Sequence, residues 1–228
     1  MKKTLFIIAL IIATFVLIIF FRGSKYPTRQ EVLPEVLNSP EQVKVAESPF
    51  VLQYQGFSYE LTPKYSYELY GMVLSYHHSD SWIDISHKND PYNTKDICTM
   101  WGQDLDIGIY EKMKFTHGDW TCYANFKSSA KSTDYNKFQA DEMSNNHLIP
   151  ASDDLNNLMR KAKNGDQVYF KGYLVDYKVT DSDGNNMGSR QTSTIREDSK
   201  CEVVYVADFK ILKKYTILDR FKSGLGLD

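Results

Sequence analysis

From residue 4 to residue 21 the chain reads Thr-Leu-Phe-Ile-Ile-Ala-Leu-Ile-Ile-Ala-Thr-Phe-Val-Leu-Ile-Ile-Phe-Phe, with no charge, glycine or proline. At about 1.5 Å per residue this run makes a helix of about 27 Å, close to the roughly 30 Å of a bilayer's hydrocarbon core. Lipid offers the backbone no hydrogen-bond partner, so a helix is required there. A secretory signal has the same start, but its apolar core is only about 7–15 residues long. Here Phe20-Phe21 passes straight into Arg22, with no small-x-small cleavage site. No lipobox-like cysteine lies near the N-terminus. The pattern therefore predicts an uncleaved signal-anchor helix over residues 1–21. Lys2 and Lys3 precede the run, and Arg22, Lys25 and Arg29 follow it, so the charge comparison across the bilayer is close to even. The short tail with two lysines sets the N-terminus in the cytoplasm and the large C-terminal part outside: periplasmic where there are two membranes, otherwise extracellular.

Residues 22–49 hold Pro27, Pro34, Pro40 and Pro49 and read as an extended spacer, with room for a short helix around Gln30–Leu37. Strand patterning takes over in 50–228. Phe57–Leu61 alternates and stops at Thr62-Pro63. From Tyr65 to Tyr76, Tyr65, Tyr67, Leu69, Gly71, Val73 and Ser75 share one face, and Tyr70, Met72, Leu74 and Tyr76 the other; Gly71 marks a bulge or bend. Trp82–Ile85 and Asp119–Phe126 are shorter candidates. One helix is clear: Ser152 as N-cap, Asp153 and Asp154 in the first turn, Leu155, Leu158, Met159 and Ala162 as an apolar stripe, and Gly165 as the stop. Two alternating strands follow, Gln167–Val179 and Cys201–Leu212, joined across turn chemistry at Asp181–Asn186. In the last, Cys201, Val203, Tyr205, Ala207, Phe209 and Ile211 share a face. The expected fold is mainly β (α+β): a small antiparallel OB-like barrel with one main helix, behind a single N-terminal transmembrane helix. The run Gly165-Asp-Gln-Val-Tyr-Phe-Lys-Gly172 resembles a strand opening common in OB-type barrels.

Composition supports this and narrows the function. Aromatic residues are 14% of the chain, which favours pleated, half-buried surfaces. Residues 1–49 carry six basic side chains and four acidic ones, which leaves residues 50–228 with a net charge of −4. Phosphate-backbone affinity comes from clustered Lys and Arg, so single-stranded nucleic-acid binding by an OB face is disfavoured. Cys98, Cys122 and Cys201 lack zinc spacing. In an oxidising compartment Cys98 and Cys122 can pair; the alternative is three buried thiols. His77, His78 and His87 lie near Asp80, Asp84 and Asp90, but adjacent His77 and His78 point to opposite faces of a strand, so a solvated hairpin loop is the expectation and no metal site. Asn145–Ala151 reads as a loop before the helix, where His147 acts either as a base or as a partner for loop backbone. His147, Ser193 and Asp198 supply the residue types of a hydrolase triad, and Arg196 those of an anion site. No nucleophile elbow, Walker loop, HExxH or dinucleotide fingerprint is present, and no cofactor is expected.

Several segments together are similar to a set of uncharacterised bacterial proteins with an N-terminal membrane segment: Leu61-Thr-Pro, Tyr70-Gly-Met-Val-Leu-Ser75, Asp96-Ile-Cys, Trp101-Gly-Gln, Asn146-His-Leu-Ile-Pro150, Gly165–Val175 and Ser193-Thr-Ile-Arg196 with Cys201-Glu. The likeness spans residues 57–212. It implies no substrate, and it nominates Trp101, His147 and Arg196 for mutation, Trp101 and Arg196 as binding residues. It also implies a single-pass protein of the bacterial inner (cytoplasmic) membrane. The expected function is a membrane-anchored extracytoplasmic binding or scaffold module for an envelope partner. The alternatives are an anchored hydrolase using His147, Ser193 and Asp198, and the nucleic-acid module.

Overall fold

The computed structural model describes residues 2–79, 90, 92–118, 120–195 and 201–227, with backbone alone for residues 2–4 and 20–22. Helix α1 (Lys2–Arg22) is followed by β1 (Glu41–Lys44), β2 (Phe50–Tyr54), β3 (Phe57–His77) and β4 (Lys95–Met100). Then come α2 (Gly102–Asp106), β5 (Met113–His117), β6 (Cys122–Phe126), α3 (Ser132–Tyr135), β7 (Met143–Pro150) and α4 (Asp153–Met159). The chain ends with β8 (Gln167–Thr180), β9 (Asn186–Arg190), β10 (Glu202–Lys213) and α5 (Ile217–Leu225). The fold is mainly β, with one large sheet and several helices.

Eight strands form the main sheet in the order β1-β3-β4-β7-β10-β8-β9, with β2 paired to β3; β5 and β6 make a separate hairpin. The expected small closed antiparallel barrel is not what forms. One pairing, β7–β10, is parallel. β1, β2 and β9 extend the sheet as edges, and the long pairing of β3 with β8, from Ser58↔Thr180 to Met72↔Gln167, folds the sheet back on itself. β3 is continuous through Pro63, where the sequence reads as a stop. Proline cannot donate to a ladder, and the register shifts between Pro63 and Tyr65, so the break in pairing is absorbed as a bulge.

That bulge has a consequence for packing. A one-residue slip moves every following side chain to the other face. Tyr59 and Leu61 pack with Val175, Tyr177, Val203 and Ile149. Beyond the bulge Tyr67, Leu69 and Val73 pack with Val168, Phe170, Leu174 and Val204. A second shift, between Val206 and Asp208, splits β10 the same way. Val203 and Tyr205 therefore face one cluster, while Phe209 and Ile211 join the other. The single face expected from Cys201 to Ile211 is corrected accordingly. Gly172 lets β10 approach β8 closely: a Cβ there would sit 1.8 Å from the Tyr205 carbonyl oxygen. Gly71 lies where β3 leaves β8 and takes up β4.

Ser152 caps α4 as expected, accepting from Leu155 N, but the helix ends at Met159 rather than at the stop expected at Gly165, which lies with φ +86° in the turn before β8. Residues 22–49 are packed along the sheet rather than extended away from it. Tyr26 donates to Leu74 O at 2.7 Å, Tyr110 to Pro27 O at 3.0 Å, and Lys213 Nζ to Glu31 O at 2.8 Å. Val36 is buried and β1 pairs with β3. α1 carries exposed apolar side chains, Leu5, Phe6, Ile11, Phe15 and Ile18 among them. Its side chains are described over 5–19, and among the described residues no helix is long and apolar enough to cross a membrane.

Candidate functional site

Three neighbouring strands bring four polar side chains to one face. Asp96 on β4 stands directly opposite His147 on β7, and Cys98 opposite Asn145. Parallel to β7, β10 sets Val203 beside His147 and Glu202 beside Asn146, so Cys201 falls beside Asn145. His147 Nδ1 lies 2.7 Å from Asp96 Oδ1, with both side chains almost wholly buried (2% and 0% exposed). Asn145 Nδ2 reaches Cys201 Sγ at 3.5 Å and also donates to Trp120 O at 3.3 Å. The half-buried Cys201 thiol lies 3.6 Å from Trp120 O and 3.9 Å from Thr121 Oγ1, and it interacts with the nearby His147. It is the free cysteine of the protein.

A charged pair is buried only when each partner compensates the other's lost hydration. Burial works against the His147 imidazolium, but the interaction with Asp96 at 2.7 Å overcomes it and pushes the pKa up to about 9. Burial likewise pushes the Cys201 thiol up. Its interaction with His147 and the charge there, helped by Asn145 and Thr121, hold it below the usual thiol range instead. The arrangement sets a thiol near a base, with a carboxylate 2.7 Å from that base, which are the residue types of an activated nucleophile.

The β5–β6 hairpin supplies the rim. Cys98 and Cys122 form a disulfide with Cα atoms 6.0 Å apart, which ties β6 to β4 and sets Trp120 and Thr121 over Cys201. Beyond Trp120 is a cavity of about 210 Å³ whose walls include Asp90, Trp120, Tyr177, Met187 and Arg190. The Arg190 guanidinium stacks on the Trp120 ring, 4.3 Å from its centroid. Asp90 accepts from Tyr177 OH and from Tyr59 OH, the latter at 3.1 Å.

Of the triad types named from the sequence, His147 lies in this cluster. Ser193 Oγ is engaged in a local turn, donating to Ile195 O at 2.8 Å and accepting from Ile195 N at 3.1 Å. Asp198, Arg196, Trp82–Ile85 and His87 lie outside the described residues. Trp101 is 1% exposed in the main core, so it supports packing rather than a binding face. Among the described residues no three His, Cys, Asp or Glu side chains converge as metal ligands.

The expected loop at Asn145–Ala151 is corrected: it is the central strand β7. Its faces are both buried and largely polar, so no apolar alternation marks it. On the side away from the site Asn146 Nδ2 donates to Ser144 Oγ at 2.9 Å and Thr99 Oγ1 at 3.0 Å. Asp96 and Asn145 were missed for the same reason, because only strand register brings them to His147 and Cys201. Compared with known proteins, the chain matches no family model, no curated protein and no solved structure.

Proposed function

We propose that this is a membrane-tethered, OB-like module whose working group is the Cys201 thiol, activated by His147 and oriented through Asp96 for acyl transfer or hydrolysis. The observation that carries the reading is the buried Asp96–His147 contact at 2.7 Å, on the strand whose Asn145 donates to the half-buried Cys201 thiol. The Cys201 thiolate attacks a carbonyl carbon, the leaving group departs with the proton from His147, and a thioester forms. Water, deprotonated by His147, then attacks the thioester; the acid leaves and the thiolate–imidazolium pair returns. Asn145 Nδ2, which donates to Cys201 Sγ at 3.5 Å, steadies the thiolate that forms between the two acyl steps. The 210 Å³ cavity with Arg190 at its wall suits a small acyl group bearing a polar or anionic substituent.

Strand order supports the OB-like part. β3, β4 and β7 follow one another, α4 comes next, and β10 lies between β7, in parallel, and β8, which returns to β3. A partly open barrel of five such strands is the OB arrangement. The tether rests on the 21-residue α1, about 31 Å long, whose apolar run from 4 to 21 is unbroken. With Lys2 and Lys3 held in the cytoplasm, the domain faces the outer side of a bacterial inner membrane, an oxidising compartment that suits the Cys98–Cys122 disulfide.

The test is a burst experiment on the full chain in detergent with 4-nitrophenyl acetate. One equivalent of nitrophenolate should appear rapidly, with an acetyl group on Cys201 by mass spectrometry. Cys201→Ala and His147→Ala should each abolish the burst. An unchanged burst in His147→Ala, or acetylation elsewhere, would defeat the proposal.

A further inference from the structure

A second cavity, about 560 Å³, opens where α1 meets the rest of the protein. Its walls come from residues 23–28 directly after α1, from the β5–β6 hairpin and its flanks, and from α5. Lys25, Lys114, Lys127 and Arg220 line it, against a single acid, Glu111. Three of these four cations, Lys114, Lys127 and Arg220, come from the domain beyond residue 49, which is acidic overall, so they are a local concentration against the trend. Between them the wall is apolar, with Met113 and Phe115 buried and Tyr26 edge-on to Phe115 at 5.8 Å. Ser223 Oγ accepts from Ser24 N at 3.1 Å and retains its own proton to donate.

The position of this cavity along α1 is fixed by two glycines. A Cβ on Gly23 would lie 2.0 Å from the Arg220 carbonyl oxygen, and one on Gly224 would lie 2.2 Å from that of Ile19. Four residues forward on α5 thus correspond to four residues back on α1. The two helices run antiparallel in close backbone contact, and α5 descends beside the last turn of α1, by about 6 Å over that interval. Leu225, 52% exposed, then falls at the level of the apolar end of α1, and Leu227, 66% exposed, follows the left-handed Gly226 that ends α5. Arg220 and the cavity sit at the level of Gly23, where α1 ends. A cationic rim over an apolar wall, at the depth where an anchor helix leaves the bilayer, has the polarity profile of a lipid headgroup region.

We propose that this cavity binds the phosphate diester of an anionic phospholipid, with Leu225 and Leu227 set in the adjoining acyl layer. The proposal rests on the reading of α1 as a membrane anchor. It is independent of the Cys201 chemistry. The ligand is recognised by its phosphate, and the apolar wall and the exposed leucines assign that phosphate to a lipid rather than to a free anion.

The full chain, purified from membranes in mild detergent, is exposed to equimolar phosphatidylglycerol and phosphatidylcholine and analysed by native mass spectrometry. The protein should retain one phosphatidylglycerol in preference to phosphatidylcholine. Lys25→Glu with Lys114→Glu should weaken that preference by at least about tenfold, and Lys25→Arg with Lys114→Arg should preserve it. Leu225→Ser with Leu227→Ser should raise the fraction of lipid lost on dilution. Carbonate extraction of the same membranes separates the two readings. A chain washed off by carbonate refutes the anchor and the site together, whereas an embedded chain with no lipid preference, or with a preference untouched by charge reversal, refutes the site alone. Equal displacement of the lipid by inorganic phosphate would overturn the lipid assignment.

Discussion

Replacing Asp96 with Asn removes one charge from the centre of the Cys201 site while keeping the shape of the side chain. In the wild-type protein the His147 imidazolium has a pKa of about 9, against an ordinary value of 6.5. At pH 7.5 a group of pKa 9 is roughly 97% protonated, and one of pKa 6.5 roughly 9%. Without Asp96 the burial that works against the imidazolium is opposed by the interaction with Cys201 alone. The population of imidazolium beside Cys201 therefore falls, by about tenfold where the pKa returns to its ordinary value. The more basic thiolate left behind is a better nucleophile, by up to about half a logarithmic unit per pKa unit gained. The assay is alkylation by iodoacetamide of the full chain in detergent, followed by mass spectrometry of the Cys201 peptide. With Cys98 and Cys122 bonded, Cys201 is the thiol that reports. Wild-type alkylation should rise at a pH below that of a free thiol. In Asp96→Asn the profile should move up by a pH unit or more, with a several-fold lower rate at pH 7.5. A thermal melt of both proteins verifies that the fold is retained. Superimposable pH profiles would refute the coupling, and with it the activated-thiol reading.

Three further outcomes follow from the same geometry. The raised His147 pKa contributes stability that is fully present below about pH 6.5 and is lost as pH rises through about 9, up to roughly 3 kcal/mol; urea unfolding of Cys201→Ala at pH 6 and pH 9.5 should show the decline, and adding Asp96→Asn should flatten it. Gly172→Ala should destabilise by about 2 kcal/mol or more, because its Cβ would stand 1.8 Å from Tyr205 O and must push β10 off β8; equal urea midpoints would contradict that close approach. Reducing the Cys98–Cys122 disulfide, or replacing both with Ser, should cost about 3 kcal/mol for a loop with a separation of 24 residues, and it should speed Cys201 alkylation by freeing the hairpin above it.

The legible parts of the sequence are those where burial is one-sided. β8 shows its two faces openly, with Val168, Phe170 and Leu174 in one cluster and Tyr173, Val175 and Tyr177 in the other. α4 announces itself through Ser152 and its apolar stripe. β4 and β7 do not, because they are buried on both faces and carry polar groups inside. Lys95 is fully buried, its ammonium donating to Ala162 O at 2.5 Å and Arg160 O at 3.1 Å, and burial depresses its pKa to about 7. A hydrophobicity pattern reads such a residue as surface. Bulges are equally silent: nothing in Val206-Ala207-Asp208 announces that Phe209 changes sides. His147 stood out as a titratable group near a helix, but its partners come from residues 96 and 201. Only pairing brings these together.

The placement of the three cysteines bears on whether a free thiol can persist in a compartment that oxidises the other two. Cys98 and Cys201 share a face, but Asn145 stands between them on β7. Two strand spacings, at about 4.8 Å each, separate their backbones by more than about 9 Å, beyond the roughly 7 Å a disulfide can bridge. Cys122 is one residue from Thr121, which contacts Cys201, yet its own sulfur is committed to Cys98 across the hairpin. β7 thus works in two ways. Asn145 keeps Cys201 apart from Cys98 while donating to the Cys201 sulfur, and two residues on His147 supplies the base. The same strand that hides the site from sequence reasoning holds Cys201 away from Cys98 and, in the proposed reading, next to its base.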